Sequence, residues 1–367
     1  MHRIVTPLAR IALGFIIVGS RCRVGLTRRW LAPAMLLAAI VYARAATACT
    51  VSATNAALGT YSPSAVKAKV VPVTRARAGL QCSFALLNLL GGDYVRATFF
   101  SANTFKLVRD GGGGSIGYKA SADEAGAYAA VQGSTVDYTQ NNLLNLLGLL
   151  GSSNADLPIF IKPDDAVFPP VGVYKDTITI AWSWNICTGI GLLGACVGTP
   201  DKSIGTSVID VTLTVTPVAA VITTSSATTW DPVNKAINPR DLPGSRRALS
   251  VTFRNPDIAP FDSPFVDVIV GTPGGTVIAL DGDGTSQAAA ITYADGSPAS
   301  SLAVRYINPS DLGDDVDFSA DGGASWSYVP VAGDLASQGA VTNVRIRARG
   351  TMAAGSSFLV RIPYLVR

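Results

Sequence analysis

Apolar and polar residues alternate in short stretches along most of this chain, and no long stretch carries the spacing of an amphipathic helix. The stretches are Val66–Thr74, Tyr94–Phe100, Thr177–Trp184, Val208–Thr216, Ala248–Phe253, Phe265–Val270, Ala303–Tyr306, Val341–Ala348 and Phe358–Leu365. A period of two puts successive side chains on opposite faces of a strand, so each stretch can bury one face and wet the other. The 36 Gly and 21 Pro break the chain into short elements joined by turns. An all-β fold follows, as two immunoglobulin-like β-sandwiches in tandem. The strand at 208–216 ends at Thr216-Pro217, and a Ser/Thr-rich stretch follows it. The expected domains are therefore 46–216 and 217–367.

Residues 1–45 differ in kind. They carry seven Arg and no acid, with apolar runs at 11–18 and 31–42, and they end in Ala43-Arg44-Ala45. Basic residues, an apolar run and an A-x-A site are the marks of a secretory signal peptide. Each run is shorter than the roughly 20 residues a membrane span needs. Cleavage after Ala45 would leave 22 Lys+Arg against 25 Asp+Glu, so the exported chain would be slightly acidic. That balance gives no reason to expect nucleic acid as a partner. Four cysteines would remain, Cys49, Cys82, Cys187 and Cys196, an even number that implies disulfides in an exported protein. Three pairings are possible, and the most economical is Cys49–Cys82 with Cys187–Cys196.

Three charge-free segments stand out: Ala85–Gly92, Asn141–Gly151 and Cys187–Cys196. Each mixes Leu with Gly or Asn, which break both helices and strands, so apolar loops or turns are expected. Exposed apolar loops usually mark a contact site. The candidate surface is Leu86, Leu87, Leu89 and Leu90 from the first, and Leu143, Leu144, Leu146, Leu147, Leu149 and Leu150 from the second. Ile190, Leu192 and Leu193 come from the third. Loops gather at the two ends of a sandwich, so the three are expected to share one pole. The competing expectation is that these leucines are core.

Further residues bring in a family. Cys49-Thr-Val-Ser-Ala, Leu58-Gly-Thr-Tyr-Ser-Pro, Cys82, Ile116–Asp123 and Pro170-Val-Gly-Val-Tyr-Lys-Asp-Thr-Ile-Thr-Ile together resemble the spore coat protein U family. That family includes subunits of archaic chaperone–usher pili. The resemblance covers about 46–216 and implies a Cys49–Cys82 bond. It also implies pilus subunits, a periplasmic chaperone and an outer-membrane usher as partners, with passage through the periplasm to the cell surface. Fibre-building subunits carry an extended donor segment before the first Cys, whereas only Ala46-Thr47-Ala48 would precede Cys49 here. The implied role is a tip adhesin that holds hydrophobic surfaces and promotes attachment and biofilm formation. The alternative is a structural surface or coat protein whose apolar loops pack on sister subunits. Residues 217–367 more loosely resemble conserved-repeat β-sandwich domains of bacterial surface proteins, through 231–244, 251–255 and 318–326.

Little points to catalysis. The only His is His2 and the only Glu is Glu124, so the exported chain would have no imidazole for a triad or a metal site. No enzyme activity, cofactor or metal is expected. Gly111–Gly114 lacks the G-K-[ST] of a phosphate loop. Asp281-Gly-Asp-Gly284 and Asp311, Asp314, Asp315, Asp317 and Asp321 lack the closing Glu of a calcium loop. A carbohydrate module would need exposed aromatics. Trp182 and Trp184 are the candidates, on one face of one strand.

Overall fold

A computed structural model describes residues 49–83, 92–140, 143–152, 154–187, 190–192, 195–197, 200–285 and 290–367, with only the backbone of 190–192 and 195–197. Thr47–Arg367 clusters as one compact unit. The chain is all-β.

The first strands are β1 (Cys49–Val51), β2 (Thr54–Tyr61), β3 (Thr74–Cys82), β4 (Tyr94–Ser101), β5 (Lys106–Arg109) and β6 (Ser115–Ser121). Then come β7 (Thr135–Asp137), β8 (Ala155–Pro163), β9 (Gly172–Cys187), β10 (Ile190–Leu192), β11 (Ala195–Val197) and β12 (Pro200–Val215). One layer is β1-β3-β8-β6, and the other is built on β9 with β12, β2, β4 and β7. Strand β5 pairs with both β6 and β9, which joins the layers into one sheet. Strands β9 and β12 are antiparallel over sixteen residues each, from Pro200 opposite Cys187 to Val215 opposite Gly172. The edge strand β2 runs parallel to β12.

The core between the layers follows the alternation in the sequence. Ile178, Ile180, Trp182, Trp184 and Ile186 of β9 are buried, as are Ile209, Val211, Leu213 and Val215 of β12. Glycine is required at Gly79 of β3, which has φ +83. A Cβ there would lie 2.4 Å from the Ser52 carbonyl oxygen and 2.6 Å from Ser207 Cβ. The β3–β8 ladder breaks between Arg77 and Gln81, around this glycine. The Trp182 indole donates to Ser207 Oγ (2.8 Å), which donates to the Ala78 carbonyl (2.7 Å), so the close approach is hydrogen-bonded.

The second group is β13 (Val221–Trp230), β14 (Arg246–Arg254), β15 (Phe265–Gly271), β16 (Thr276–Ile278), β17 (Thr292–Asp295), β18 (Val316–Ser319), β19 (Asn343–Arg349) and β20 (Ser357–Val366). They form a sheet β13-β14-β20-β16, with β17 also on β20, and a sheet β15-β19-β18. A separate cluster of buried residues lies here, including Phe253, Phe318, Ile346, Phe358 and Val360.

Two expected strands are corrected. Part of Val66–Thr74 falls in a helix, α1 (Pro63–Lys67), and β3 begins only at Thr74. Ser62 caps α1 by accepting from the Ala65 N–H (2.9 Å), and Pro63 opens it, a pair of signals that favours helix over strand. Ala303–Tyr306 is not a strand: Ala303 makes one isolated bridge to Arg349. Among the described residues, the other helices are α2 (Leu143–Leu146) and α3 (Leu335–Gly339). Among the described residues, no helix is long and apolar enough to cross a membrane.

Candidate functional site

The candidate site is built on the ends of β3, β4, β9 and β12. Cys49 registers with Cys82, and a disulfide joins them. Cys82 registers in turn with Ala155, Tyr94 with Asn185, and Pro200 with Cys187. Side chains tie these ends together. Asp93 Oδ1 accepts from the Cys187 N–H (3.1 Å), Asn185 Nδ2 donates to the Gly92 carbonyl (3.3 Å), and Asp201 Oδ2 accepts from the Cys49 N–H (3.2 Å). The described ends of the first and third apolar segments are thus hydrogen-bonded to each other.

Leu86, Leu87, Leu89, Leu90 and Leu193 lie outside the described residues. In the third segment, expected as a loop, β10 and β11 pair as a hairpin with Leu192 opposite Ala195. Ile190 and Leu192 are placed there by backbone alone. Cys187 is disulfide-bonded; the side chain of Cys196, expected as its partner, is outside the described residues.

The second segment departs from the expected loop. Its centre is helix α2, closed by Gly148 at φ +68. The Leu149 N–H bonds the Leu144 carbonyl (2.9 Å) and the Gly148 N–H bonds the Asn145 carbonyl (3.0 Å). This is a Schellman cap, whose two bonds bring an apolar pair on either side of the turn together. Leu144 and Leu149 are that pair. Both are buried, as is Leu143, so these three belong to the core and not to an adhesive surface. Leu147 and Leu150 are partly buried against the same core. Leu146 alone of this group is largely exposed, at 70%. It lines, with Arg75, Asp123, Glu124, Leu147 and Phe160, a depression of about 340 Å³. Arg75 registers with Phe160, five residues along β8 from Ala155, or about 17 Å from the tied ends. The second segment is rooted near the pole, but its exposed leucine opens onto the flank.

Ile204 of β12 lies outside the candidate surface expected from the sequence and is 80% exposed, four residues from Pro200. The signal was available, since Ile204 is an apolar residue in the outward-facing series of Lys202 and Thr206. The alternation predicts this strand only from residue 208, whereas β12 begins at Pro200.

Other motifs are structural. Asp176, the last residue of Pro170-x-Gly-x-Tyr-x-Asp, is buried and accepts from Ser101 Oγ (2.6 Å), Tyr118 Oη (2.6 Å), and the Asn103 N–H and Nδ2 (both 3.1 Å). Burial, and then the Asp176 carboxylate, push the Tyr118 hydroxyl well above the usual tyrosine range. Tyr174 Oη donates to the Pro170 carbonyl (2.6 Å) and locks the start of β9. Trp182 and Trp184 are 2% and 4% exposed, so neither forms a surface platform. The aspartates between 311 and 321 are engaged by Arg305, Arg345, Arg347, Arg349 and backbone N–H groups. Among the described residues, no cluster of His, Cys, Asp and Glu is arranged to hold a metal.

No curated protein matches the chain in sequence. Among solved structures it is similar to the CsuC–CsuE chaperone–tip adhesion subunit pre-assembly complex from archaic chaperone-usher Csu pili of Acinetobacter baumannii. The identity is 13%, the TM-score 0.38, and the alignment covers 86% of this chain and 94% of that one. It is also similar to the C-terminal domain of the Streptococcus pyogenes antigen I/II-family protein AspA, at 8% identity and TM-score 0.18, over 81% of this chain and 84% of that one. At such TM-scores the fold rests on the chain's own strand order. A family model matches residues 35–181, starting before the expected cleavage site and ending within β9, short of the resemblance at 46–216. The family model that matches is that of the Spore Coat Protein U domain.

Proposed function

We propose that this chain is an exported subunit of a chaperone–usher pilus whose first sandwich, 46–216, presents an apolar pole to hydrophobic surfaces. The second domain would be 217–367. The observation that supports this reading is the direct tie between the ends of the segments 84–91 and 188–199, through Asp93 to Cys187 and Asn185 to Gly92. Both segments are charge-free. Stapled bases limit the entropy lost when such segments settle on a surface. A fully buried Leu contributes roughly 1.5–3 kcal/mol, so a few contacts per subunit and many fibres per cell would hold a cell by avidity. Assembly would need sister subunits, a periplasmic chaperone and an outer-membrane usher, and the outcome would be attachment and biofilm formation.

The test is retention of the purified exported chain on polystyrene beads. The substitutions Leu89→Ser with Leu90→Ser, and Leu192→Ser with Leu193→Ser, are expected to cut retention at least tenfold while the melting temperature stays within a few degrees. Folded variants retained like the parent would refute the apolar-pole reading.

A further inference from the structure

The second sandwich holds a groove of about 640 Å³ with no part in the reading above. It is lined by Leu280, Ala290 and Ile291, by Tyr293 of β17 and by the segment 304–309. Its floor is the buried side chains Leu280, Ala290, Ile291 and Val304. One side is β17, which among the described residues pairs only with β20, and another is the segment 304–309. From the first side comes Tyr293, half exposed, its ring stacked on buried Phe358 with centroids 6.0 Å apart and planes at 28°. The Phe358 contact holds one face of the ring, and Tyr293 is half exposed and lines the groove.

The wall formed by 304–309 carries polar groups with capacity to spare. The carboxylate paired with Arg305 is Asp311, at 3.8 Å, so the guanidinium is only loosely engaged. Asn308 spends its Oδ1 on Ser310 and Asp311, while its Nδ2 has no protein partner among the described residues. The Tyr293 and Tyr306 hydroxyls are likewise open. This wall is stiff, because two buried carboxylates hold it from behind. Asp315 Oδ2 accepts from the Arg305 N–H (2.7 Å), and Asp314 Oδ2 from the Ile307 N–H (2.9 Å). The aspartate-rich stretch therefore serves as a brace for the groove wall.

We propose that this groove binds a neutral oligosaccharide. A sugar ring has an apolar face of C–H groups and a rim of hydroxyls. The free Tyr293 face matches the first, and Arg305, Asn308 Nδ2 and the Tyr306 hydroxyl match the second. A concave apolar floor with a few placed polar groups is the usual build of a small-ligand site, and a braced wall keeps the ordering cost low. Asp311 beside Arg305 offsets its charge and gives an anion little advantage, and the polar rim disfavours a purely apolar ligand.

The test is calorimetric titration of the exported chain with maltohexaose, cellohexaose and chitohexaose. Saturable binding of one of the three is expected. Arg305→Met, an exposed change that spares the core, should weaken it about tenfold, and Tyr293→Leu, which keeps an apolar residue on Phe358, at least as much. Leu192→Ser with Leu193→Ser should leave it unchanged. No binding of any of the three at millimolar concentration overturns the proposal. So does parental affinity in folded Arg305→Met, or an extended peptide binding along β17 where no sugar does.

Discussion

Asp176 illustrates how a single side chain can set a local structure. Its carboxylate gathers four donors from three residues, and with Ser101 it holds the turn in which Thr104 and Phe105 both take positive φ, 52° and 57°. Each hydrogen bond to a buried charge contributes about 1.5–3 kcal/mol. Asp176→Ala is therefore expected to lower stability by about 3 kcal/mol or more in urea unfolding, and Asp176→Asn by less. Asp231 gives a pH signature. Burial raises its pKa, but hydrogen bonds from the Asn234 and Arg240 backbone, the Asn234 side chain and the Val233 backbone outweigh that and bring it down to about 2. The ordinary value is 3.8, so its contribution is complete above about pH 4 and is lost as pH falls through 2. The melting temperature should drop across that window, and less steeply in Asp231→Asn. Asp176 was legible in the sequence as part of a motif, but its role was not, because its donors lie up to 75 residues away.

Among the elements, the strands were readable where one face is buried and the other wet. The misreadings occurred where a short-range rule outweighed composition. In Pro63–Lys67 the Ser-Pro start nucleates a helix. In 143–149 a glycine that blocks a long helix is what closes a one-turn helix, and that closure turns Leu144 and Leu149 inward. The groove beside β17 could not be read at all, since Tyr293 and Arg305 come to line one cavity only in the folded chain. Gly79 allows a test at this scale. Any side chain there strikes backbone at Ser52, so Gly79→Ala should destabilise by about 2–4 kcal/mol, whereas Gly111→Ala, at the same φ of +83 but with open space around it, should cost only the strain of the left-handed backbone, about 1–2 kcal/mol. Removing the Cys49–Cys82 bridge with Ala at both positions should cost about 2–5 kcal/mol, measured by unfolding in oxidising buffer.

On the scale of the molecule, the two groups of strands are not independent. Ala259, from the loop after β14, is fully buried and belongs to the first core cluster. Lys67 of α1 pairs with Asp262 (2.8 Å). A largely apolar cavity of about 480 Å³ between them is lined by Pro63, Phe168, Pro217, Val218 and Phe261 among others. Ala259→Asp is expected to loosen the first sandwich although it lies in the second half of the chain. Faster amide hydrogen exchange across 62–70 would show it, and an effect confined to residues beyond 246 would argue against it.

The long pair β9 and β12 has a mechanical consequence. Both strands run from the apolar hairpin to the far end of the first sandwich, sixteen residues or about 50 Å each. Tension on that hairpin would pull along both strands. Strand β9 is flanked by β4 and β5, and β12 by β2, so the ladder bonds would be loaded in shear and would share the force rather than open one after another. A chain anchored by this pole in flowing water would meet drag along its most resistant axis.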